Sequence, residues 1–479
     1  MQLTSKQKLF LYCVIATILI LRIASLGVYD LADTTESRYA SIAMRMVLLN
    51  DWITPRYFLE PFWAKPPLSF WATAISFKIL GFSEFAARLP HFLIMVVLSI
   101  YGYLVLRKIS QDFALIFCAI FTSTIMWISL AGTVMTDAYL VFGLGIMMLT
   151  FYQIEVRQIK NLAIGYLFFI GLAICMLAKG PIGLVISGLS IAIFLWIKKG
   201  FWQGLKTFFN KLPVVSGSLL AMLIFVPWYV LAEVKTPGFL NYFIIGEHLN
   251  RFLVSDWKGD RYGQAHSEPT GMIWPFFLVS ILPWSLYLIG AFLSWLQENK
   301  THFIQSSKKL SKQLLQDETN LYFFIWTIVP LLFFTLARNI IIPYAALSLL
   351  AASILLSIHF YKNNFRNSKI IQGLFLTPIL FLIVIIFYPK IIDKDSDKKI
   401  IAAFVQSKKE TLAAYNYKPK HSTYFYSRDK IITLKNQQEL AECKNCFIVV
   451  EGIEDEEKNK INMIANANNS VVVIAHQTR

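Results

Sequence analysis

The stretch 33–67, DTTESRYASIAMRMVLLNDWITPRYFLEPFWAKPP, is a charged and aromatic island in an otherwise apolar chain. It directly follows an N-terminal apolar segment that is long enough to span a bilayer, since about 20 apolar residues in a helix cross roughly 30 Å of hydrocarbon. Of the 479 residues, 56% are hydrophobic and only 15% are charged, against about a quarter charged in soluble globular proteins. The sequence therefore predicts an integral membrane protein whose chemistry lies at this stretch.

Long apolar runs without alternation predict a bundle of helices, because a backbone in lipid must satisfy its own hydrogen bonds. The N-terminal run is too long for a signal peptide and no cleavage site follows it, so we interpret it as an uncleaved first helix. Eleven membrane helices are predicted, at about 9–28, 90–106, 113–131, 137–154, 162–178, 181–197, 213–232, 272–296, 320–336, 340–360 and 370–388.

Basic residues predict the orientation of this bundle. They fall in alternate loops, which the positive-inside rule places in the cytoplasm together with the N-terminus. The net charge of +16 is explained by these loops, and no nucleic-acid partner is expected. In a Gram-negative cell the opposite side of the inner membrane is the periplasm, where we expect the C-terminus.

Two segments outside the bilayer are patterned. In the external loop 29–89, apolar residues at helical spacing predict an amphipathic surface helix at 36–49, and a proline start with a glycine end predicts a second helix at 67–80. The tail 389–479 alternates short apolar runs with polar stretches, which predicts a small α/β domain. We expect a membrane domain over 1–388 and a periplasmic domain over 389–479.

Ionisable residues collect near the predicted outer face of the membrane. Because charges close to hydrocarbon are costly, such a convergence predicts a functional site. Several cations with few carboxylates suit an anionic ligand such as a lipid-linked phosphate. The residues concerned are Asp33, Glu36, Arg38, Lys65, Asp137, Lys179, Glu247, His248, Arg251, Arg338 and Tyr344.

Each of these residues also has a structural interpretation. Asp33 and Glu36 have the spacing of a helix-capping pair. Lys65 can extend to lipid head groups, and Asp137 can cap the helix that follows it. A lone histidine such as His248 is more often hydrogen-bonded than a metal ligand, and no metal site is predicted. The pair Cys443 and Cys446 has redox spacing but no thioredoxin context, which favours a structural disulfide or two idle thiols.

Several motifs in order resemble one family. They are DTTESRYASIAMRM, NDWITPRYF, PFWAKPPLSFW, GFSEFAARLP, VMTDA at 134–138, MLAKGPIG at 176–183, YFIIGEHLNRF at 242–252 and ILPW at 281–284. Together they resemble the bacterial polyprenyl-phosphate-sugar glycosyltransferases, the protein mannosyltransferase-like group that includes the aminoarabinose lipid A transferases. The resemblance covers about residues 9–360. It implies an all-α GT-C bundle with periplasmic surface helices, and an inverting transfer from a polyprenyl-phosphate sugar, such as one on undecaprenyl phosphate. Fixed cations would stabilise the departing phosphate, so no metal or other cofactor is expected.

The resemblance also implies roles for residues. The family pattern has an adjacent Asp-Glu pair before x-R-Y-A, whereas this chain has Thr35 beside Glu36; Asp33, with Glu36 in support, is therefore the expected catalytic carboxylate. Arg38 and Lys65 match positions expected to contact the lipid phosphate. Asp137 matches a second acidic position of the family's site. Lys179, Arg338 and Tyr344 correspond to other site positions.

The expected function is a glycosyltransferase that modifies an envelope acceptor: lipid A of the lipopolysaccharide, another glycan or a protein. A lipid-linked sugar flippase is the first alternative, although such transporters often show internal repeats and polar groups at mid-membrane, and no repeat is evident here. An oligosaccharide polymerase or ligase is the second alternative. The long helical first loop favours the monosaccharide transferase.

Overall fold

The architecture is taken from a computed structural model of the chain. It describes residues 2–33, 35–58, 60–255, 257–263, 267–362, 368–389, 393, 396–451, 461–465 and 468–474. Within these ranges the chain forms a helical membrane domain and a small C-terminal sheet domain.

Eight helices of the described chain are long and apolar enough to cross a membrane, so the protein is a multi-pass membrane protein. A ninth span is formed if the bent pair α14 (Ile273–Ser280) and α15 (Trp284–Glu298), which turns by 113°, is counted as one. The eight are α1 (Ser5–Ser25), α4 (Glu84–Leu106), α7 with a π-helical end (Thr136–Val156), α8 (Leu162–Lys179), α9 (Ile182–Lys199), α11 (Val214–Lys235), α17 (Glu318–Thr335) and the combined segment Ile342–Lys362, whose α-helical part is α18 (Leu349–Lys362).

The predicted number of eleven membrane helices is not confirmed. The predicted segment 113–131 is divided into α5 (Gln111–Thr122) and α6 (Ile125–Leu130). Between them, the Ser123 and Thr124 hydroxyls donate to the carbonyls of Ile120 and Phe121, and Thr124 caps α6. The predicted segment 370–388 corresponds to α19 (Ser368–Phe387), of which Gln372–Phe387 is an apolar helix. Apolar runs locate these helices, but they do not reveal the breaks.

Both predicted helices of the first loop are present, as α2 (Thr35–Leu48) and α3 (Leu68–Leu80). Gly81 ends α3 with a φ of +79°, a conformation that favours glycine. A short hairpin of β1 (Arg56–Tyr57) and β2 (Glu60–Pro61) lies between the two helices. Unlike the surface helix expected from its pattern, α2 is buried along most of its length, because α3 packs on one side and the C-terminal domain on another.

The remaining helices of the membrane domain are short or lie outside the spans. They are α10 (Phe201–Lys211), α12 (Phe239–Asn241), α13 (Arg251–Leu253) and α16 (Phe303–Gln316), together with a π-helix at Tyr242–Asn250 and a 3-10 helix at Ile342–Ser348.

The C-terminal domain is a four-stranded parallel sheet with helices, as its α/β pattern predicts. The strand order is β4–β3–β5–β6, and the central strands β3 and β5 are almost wholly buried. Cys443 and Cys446 form a disulfide at the start of β5. The elements are α20 (Lys398–Ser407), β3 (Thr411–Tyr415), α21 (His421–Ser427), β4 (Ile431–Leu434), α22 (Gln437–Glu442), β5 (Cys446–Val450) and β6 (Val471–Ile474).

Candidate active site

A cavity of about 540 Å³ lies where the first loop, the ends of α7 and α8, the π-helix and the 3-10 helix meet. Most of its lining is apolar, which suits a lipid or another largely hydrocarbon ligand. The ionisable and polar side chains that line it are Lys65, Asp137, Lys179, Glu247, His248, Arg251, Asn339 and Tyr344. Seven of these eight belong to the site predicted from the sequence.

One charged cluster in the cavity is centred on Glu247. Its carboxylate accepts from Lys65 Nζ at 2.9 Å and from Arg251 Nη1 at 3.1 Å, while Tyr242 donates its hydroxyl at 3.2 Å. Arg251 also reaches Asp260 at 3.4 Å. Burial disfavours the charged carboxylate, but the nearby charges of Lys65 and Arg251 outweigh it and lower the pKa of Glu247. The cluster therefore holds Lys65 and Arg251 at the cavity wall against two buried carboxylates, those of Glu247 and Asp260.

A second cluster joins two membrane helices. Lys179, at the end of α8, donates to Asp137 in the first turn of α7 at 2.5 Å, and both side chains are buried. The ammonium also lies 4.4 Å from the centroid of the Tyr344 ring, a cation–π arrangement. Burying these two charges costs free energy, and their close contact offsets part of that cost. The ion pair joins the end of α8 to the start of α7 at the cavity.

His248 links the π-helix to the end of α8 through its two ring nitrogens. Its Nδ1 lies 2.8 Å from the Phe243 carbonyl and its Nε2 lies 3.0 Å from the Lys179 carbonyl. Burial lowers the pKa of the ring despite these two carbonyls, which favour its protonated form. Both ring nitrogens thus face main-chain oxygens, and within the described residues no group of three or more His, Cys, Asp or Glu side chains has the arrangement of a metal site.

Four predicted site residues lie outside this cavity's lining. The Asp33 carboxylate accepts from the Ser37 hydroxyl and from the Ser422 amide at 3.1 Å, so it lies at the contact with the C-terminal domain. Arg38 donates to the Tyr262 carbonyl at 2.5 Å. Arg338 is exposed, although its neighbours Ala337 and Asn339 line the cavity. Burial raises the pKa of Asp33 in spite of the hydrogen bonds from Ser37 and Ser422.

Glu36, the fourth of these residues, has four hydrogen-bond donors around its carboxylate. It accepts two hydrogen bonds from Arg88, at 2.7 and 2.8 Å, one from the Ala32 amide at 3.0 Å and one from the Val134 amide at 3.1 Å. Burial disfavours its charge, yet the Arg88 guanidinium and the amides lower the pKa of the carboxyl overall. This geometry joins the first loop to α4 and to the segment before α7.

Three residues that are important in the structure do not belong to the predicted site. Arg88 is completely buried and also donates to the carbonyls of Leu26, Tyr29 and Asp30. An arginine inside an apolar helix is costly and therefore indicates a structural or functional role. Arg88 lies in the motif GFSEFAARLP. Asn339 and Ser422 carried no such signal, because single polar residues in loops are common.

The fold is that of a solved membrane protein. The crystal structure of ArnT from Cupriavidus metallidurans bound to undecaprenyl phosphate matches with a TM-score of 0.74 and 17% identity, covering 96% of this chain and 89% of that one. At this identity the likeness establishes the fold alone. The chain is therefore a polytopic membrane protein with the GT-C fold, as the resemblance implied.

Residues 8–243 match the family described as dolichyl-phosphate-mannose-protein mannosyltransferase. Two relatives are undecaprenyl phosphate-alpha-4-amino-4-deoxy-L-arabinose arabinosyl transferases. The one from Aeromonas salmonicida is 27% identical over 71% of this chain and 59% of its own length; the one from Aeromonas hydrophila is 26% identical over 74% and 62%. The resemblance indicated by the motifs is thus confirmed. The chain spans about three fifths of the length of these curated relatives.

Proposed function

We propose that this chain is an inverting glycosyltransferase that moves a sugar from a polyprenyl-phosphate donor to an envelope acceptor such as lipid A, another glycan or a protein. The observation that carries the proposal is the cavity, which combines apolar walls for a polyprenyl chain with Lys65, Lys179 and Arg251 for a phosphate. Charge-assisted hydrogen bonds from such cations are the usual means of binding phosphate. The relatives' names, which specify undecaprenyl phosphate-linked aminoarabinose, support a donor of this kind.

The paired charges suggest how the transfer proceeds. The reaction breaks the bond between the anomeric carbon and the phosphate oxygen, and the acceptor oxygen forms the new bond from the opposite face. The polyprenyl phosphate leaves with the electron pair, and fixed cations stabilise the charge that develops on it. Lys65 and Arg251 face Glu247, and Lys179 faces Asp137, before the donor binds. Once the phosphate attracts these cations, a released carboxylate accepts the proton of an acceptor hydroxyl.

On this proposal the residues of the predicted site divide by position. Lys65, Lys179, Arg251 and Tyr344 bind the donor, and Asp137 or Glu247 orients the acceptor. Asp33, the carboxylate expected to be catalytic, lies at the contact with the C-terminal domain. Glu36 joins the first loop to α4 and to the segment before α7. The chemistry proposed needs no metal ion or cofactor.

The membrane orientation is also part of the proposal. We place the N-terminus in the cytoplasm, and the cavity and C-terminal domain in the periplasm of the inner membrane. The alternation of basic loops supports this assignment. So does the disulfide between Cys443 and Cys446, because disulfides persist in oxidising compartments such as the periplasm.

Mass spectrometry of lipid extracts and envelope glycans, from cells with and without the gene, tests the function directly. We expect a mass increment of one sugar on lipid A or another envelope acceptor only when the gene is present. Lys65→Ala should lower the transfer on the order of a hundred-fold, the scale on which removal of one transition-state donor acts, and should raise the donor KM.

Lys235→Ala is the matched control. Lys235, the last residue of α11, is also an ion-paired lysine, but it faces Asp51 at 2.7 Å and does not line the cavity. Its substitution should leave the transfer unchanged. Accumulation of unflipped donor without any change in acceptor mass would overturn the proposal in favour of transport, and equal transfer by both variants would remove Lys65 from donor binding.

A further inference from the structure

Asn339 lines the candidate active-site cavity from the loop between α17 and the 3-10 helix, and the residue is buried. Its amide nitrogen donates to two main-chain carbonyls, that of Arg251 at 2.6 Å and that of Val254 at 2.8 Å. Because both partners are acceptors, only the nitrogen end of the amide can face them, which fixes the orientation of the side chain. Asn339 thus directs both of its N–H donors to the segment that carries Arg251.

The carbonyls that Asn339 contacts lie at the end of the short helix α13. The backbone leaves the helical conformation at Val254, so the last carbonyls of α13 need partners from outside the helix. Besides the two bonds from the Asn339 amide, the main-chain amide of Arg338 donates to the Phe252 carbonyl at 3.1 Å. Residues 338–339 therefore hold the end of α13 through three hydrogen bonds.

The side chain of Arg251 extends from this helix to the wall of the cavity. Its Nη1 atom lies 3.1 Å from Glu247 and 3.4 Å from Asp260. Its Nε atom is buried and has no hydrogen-bond partner among the residues that the structure describes. The guanidinium thus retains an N–H donor for a further acceptor, and its planar set of donors matches the oxygens of a phosphate. A shift of the main chain at residue 251 would displace this group relative to the cavity.

We propose that Asn339 is a positioning residue for binding of the donor phosphate. By holding the main chain at Arg251, its amide fixes the guanidinium where that group contacts the phosphate of the polyprenyl donor. Asn339 acts through Arg251 and does not bind the phosphate itself. The inference rests on the proposed function, which assigns the phosphate to Arg251 and two lysines. It adds that the loop after α17 determines how strongly the phosphate is bound.

Native mass spectrometry of the detergent-purified full chain tests the proposal with two ligands, undecaprenyl phosphate and undecaprenol, which differ only in the phosphate. We expect the wild type to prefer undecaprenyl phosphate. Asn339→Ala should lower the affinity for undecaprenyl phosphate on the order of ten-fold, because a displaced guanidinium loses a charge-assisted hydrogen bond to the phosphate. Affinity for undecaprenol should stay unchanged, since the apolar lining is intact. Asn339→Leu, which restores the volume without the amide, should behave as Asn339→Ala does.

A double variant separates positioning from a general structural role. If Asn339 acts through Arg251, the Arg251→Ala/Asn339→Ala chain should bind undecaprenyl phosphate no more weakly than Arg251→Ala alone, because the two residues are in contact and depend on each other. A purely structural role would instead weaken both ligands in either background.

Asn468→Ala is the matched control. The amide nitrogen of Asn468 also donates to a main-chain carbonyl distant in sequence, that of Ala441 at 2.6 Å, but the residue lies in the C-terminal domain and does not line the cavity. Its substitution should leave the binding of both ligands unchanged.

Three results would overturn the positioning role while leaving the proposed function in place. These are wild-type affinity for undecaprenyl phosphate in either Asn339 variant, an equal loss of affinity for undecaprenol, and additive losses in the double variant. A wild type without any preference for the phosphate would contradict the proposed function together with this inference, so the two failures are distinguishable.

Discussion

Glu36 and Asp33 show how far a single residue can be interpreted from its spacing. Their separation predicted a capping pair or a catalytic pair. Glu36 does accept from the Ala32 amide before α2, as a capping residue does, but its main partner is Arg88 from a distant helix. Asp33 accepts from Ser422, nearly 400 residues along the chain, at 3.1 Å. Spacing predicts local hydrogen bonds, whereas partners distant in sequence require the fold.

Glu36→Gln should destabilise the protein by about 3–5 kcal/mol, the usual cost of leaving one partner of a buried ion pair alone. All four groups that face this carboxylate are donors, so the amide nitrogen of glutamine would meet another donor. Thermal unfolding of the purified protein measures the loss. Glu298→Gln, at the exposed end of α15, is the control and should melt as the wild type does. An unchanged melting temperature in Glu36→Gln would contradict the structural role.

The helix α2 shows the same limit at the level of an element. Its length and its two faces could be predicted from the periodicity of residues 36–49, and its end lies within one residue of the structure's. The partner of its polar face could not be predicted from the sequence. Ser41 donates to the His421 carbonyl at 3.3 Å, and Arg45 forms a bidentate pair with Asp429 at 2.6 and 2.8 Å. A polar helix face is compatible with water or with a polar protein surface, and the pattern of residues does not distinguish these.

Arg45→Ala and Asp429→Ala should each loosen the C-terminal domain from α2, and the double variant should be little worse than either. For side chains in direct contact we expect a coupling energy of about 0.5–3 kcal/mol in a double-mutant cycle of thermal unfolding. Amide hydrogen exchange over residues 35–48 should rise in all three variants. Lys430→Ala alters an exposed neighbour of Asp429 and should leave exchange unchanged. Strictly additive effects of the two substitutions would show that the pair does not join the domains.

For the whole molecule, the sequence predicted the membrane class, the helical bundle and the small α/β tail, because these depend on composition and on long runs of residues. It did not predict the number of spans, since the breaks near Ser123 and at the 113° bend between α14 and α15 occur inside apolar runs. Much of the cavity was predictable for a different reason. Lys65, Lys179 and Glu247 are charges at the edge of hydrocarbon, where a charge is rarely retained without a use.

The orientation can be tested on the whole chain by cysteine accessibility. A cysteine at Ser311, in the exposed basic helix α16, should stay unlabelled by a membrane-impermeant maleimide in intact spheroplasts and react after lysis. A cysteine at Gln438, exposed in α22, should react in intact spheroplasts, because we place the C-terminal domain in the periplasm. The background carries Cys13→Ser, since Cys13 is an exposed free thiol, and keeps the Cys443–Cys446 disulfide. The reverse labelling pattern would place the cavity lined by Lys65 and Lys179 on the cytoplasmic side, where lipid-linked sugars of the outer leaflet cannot reach it.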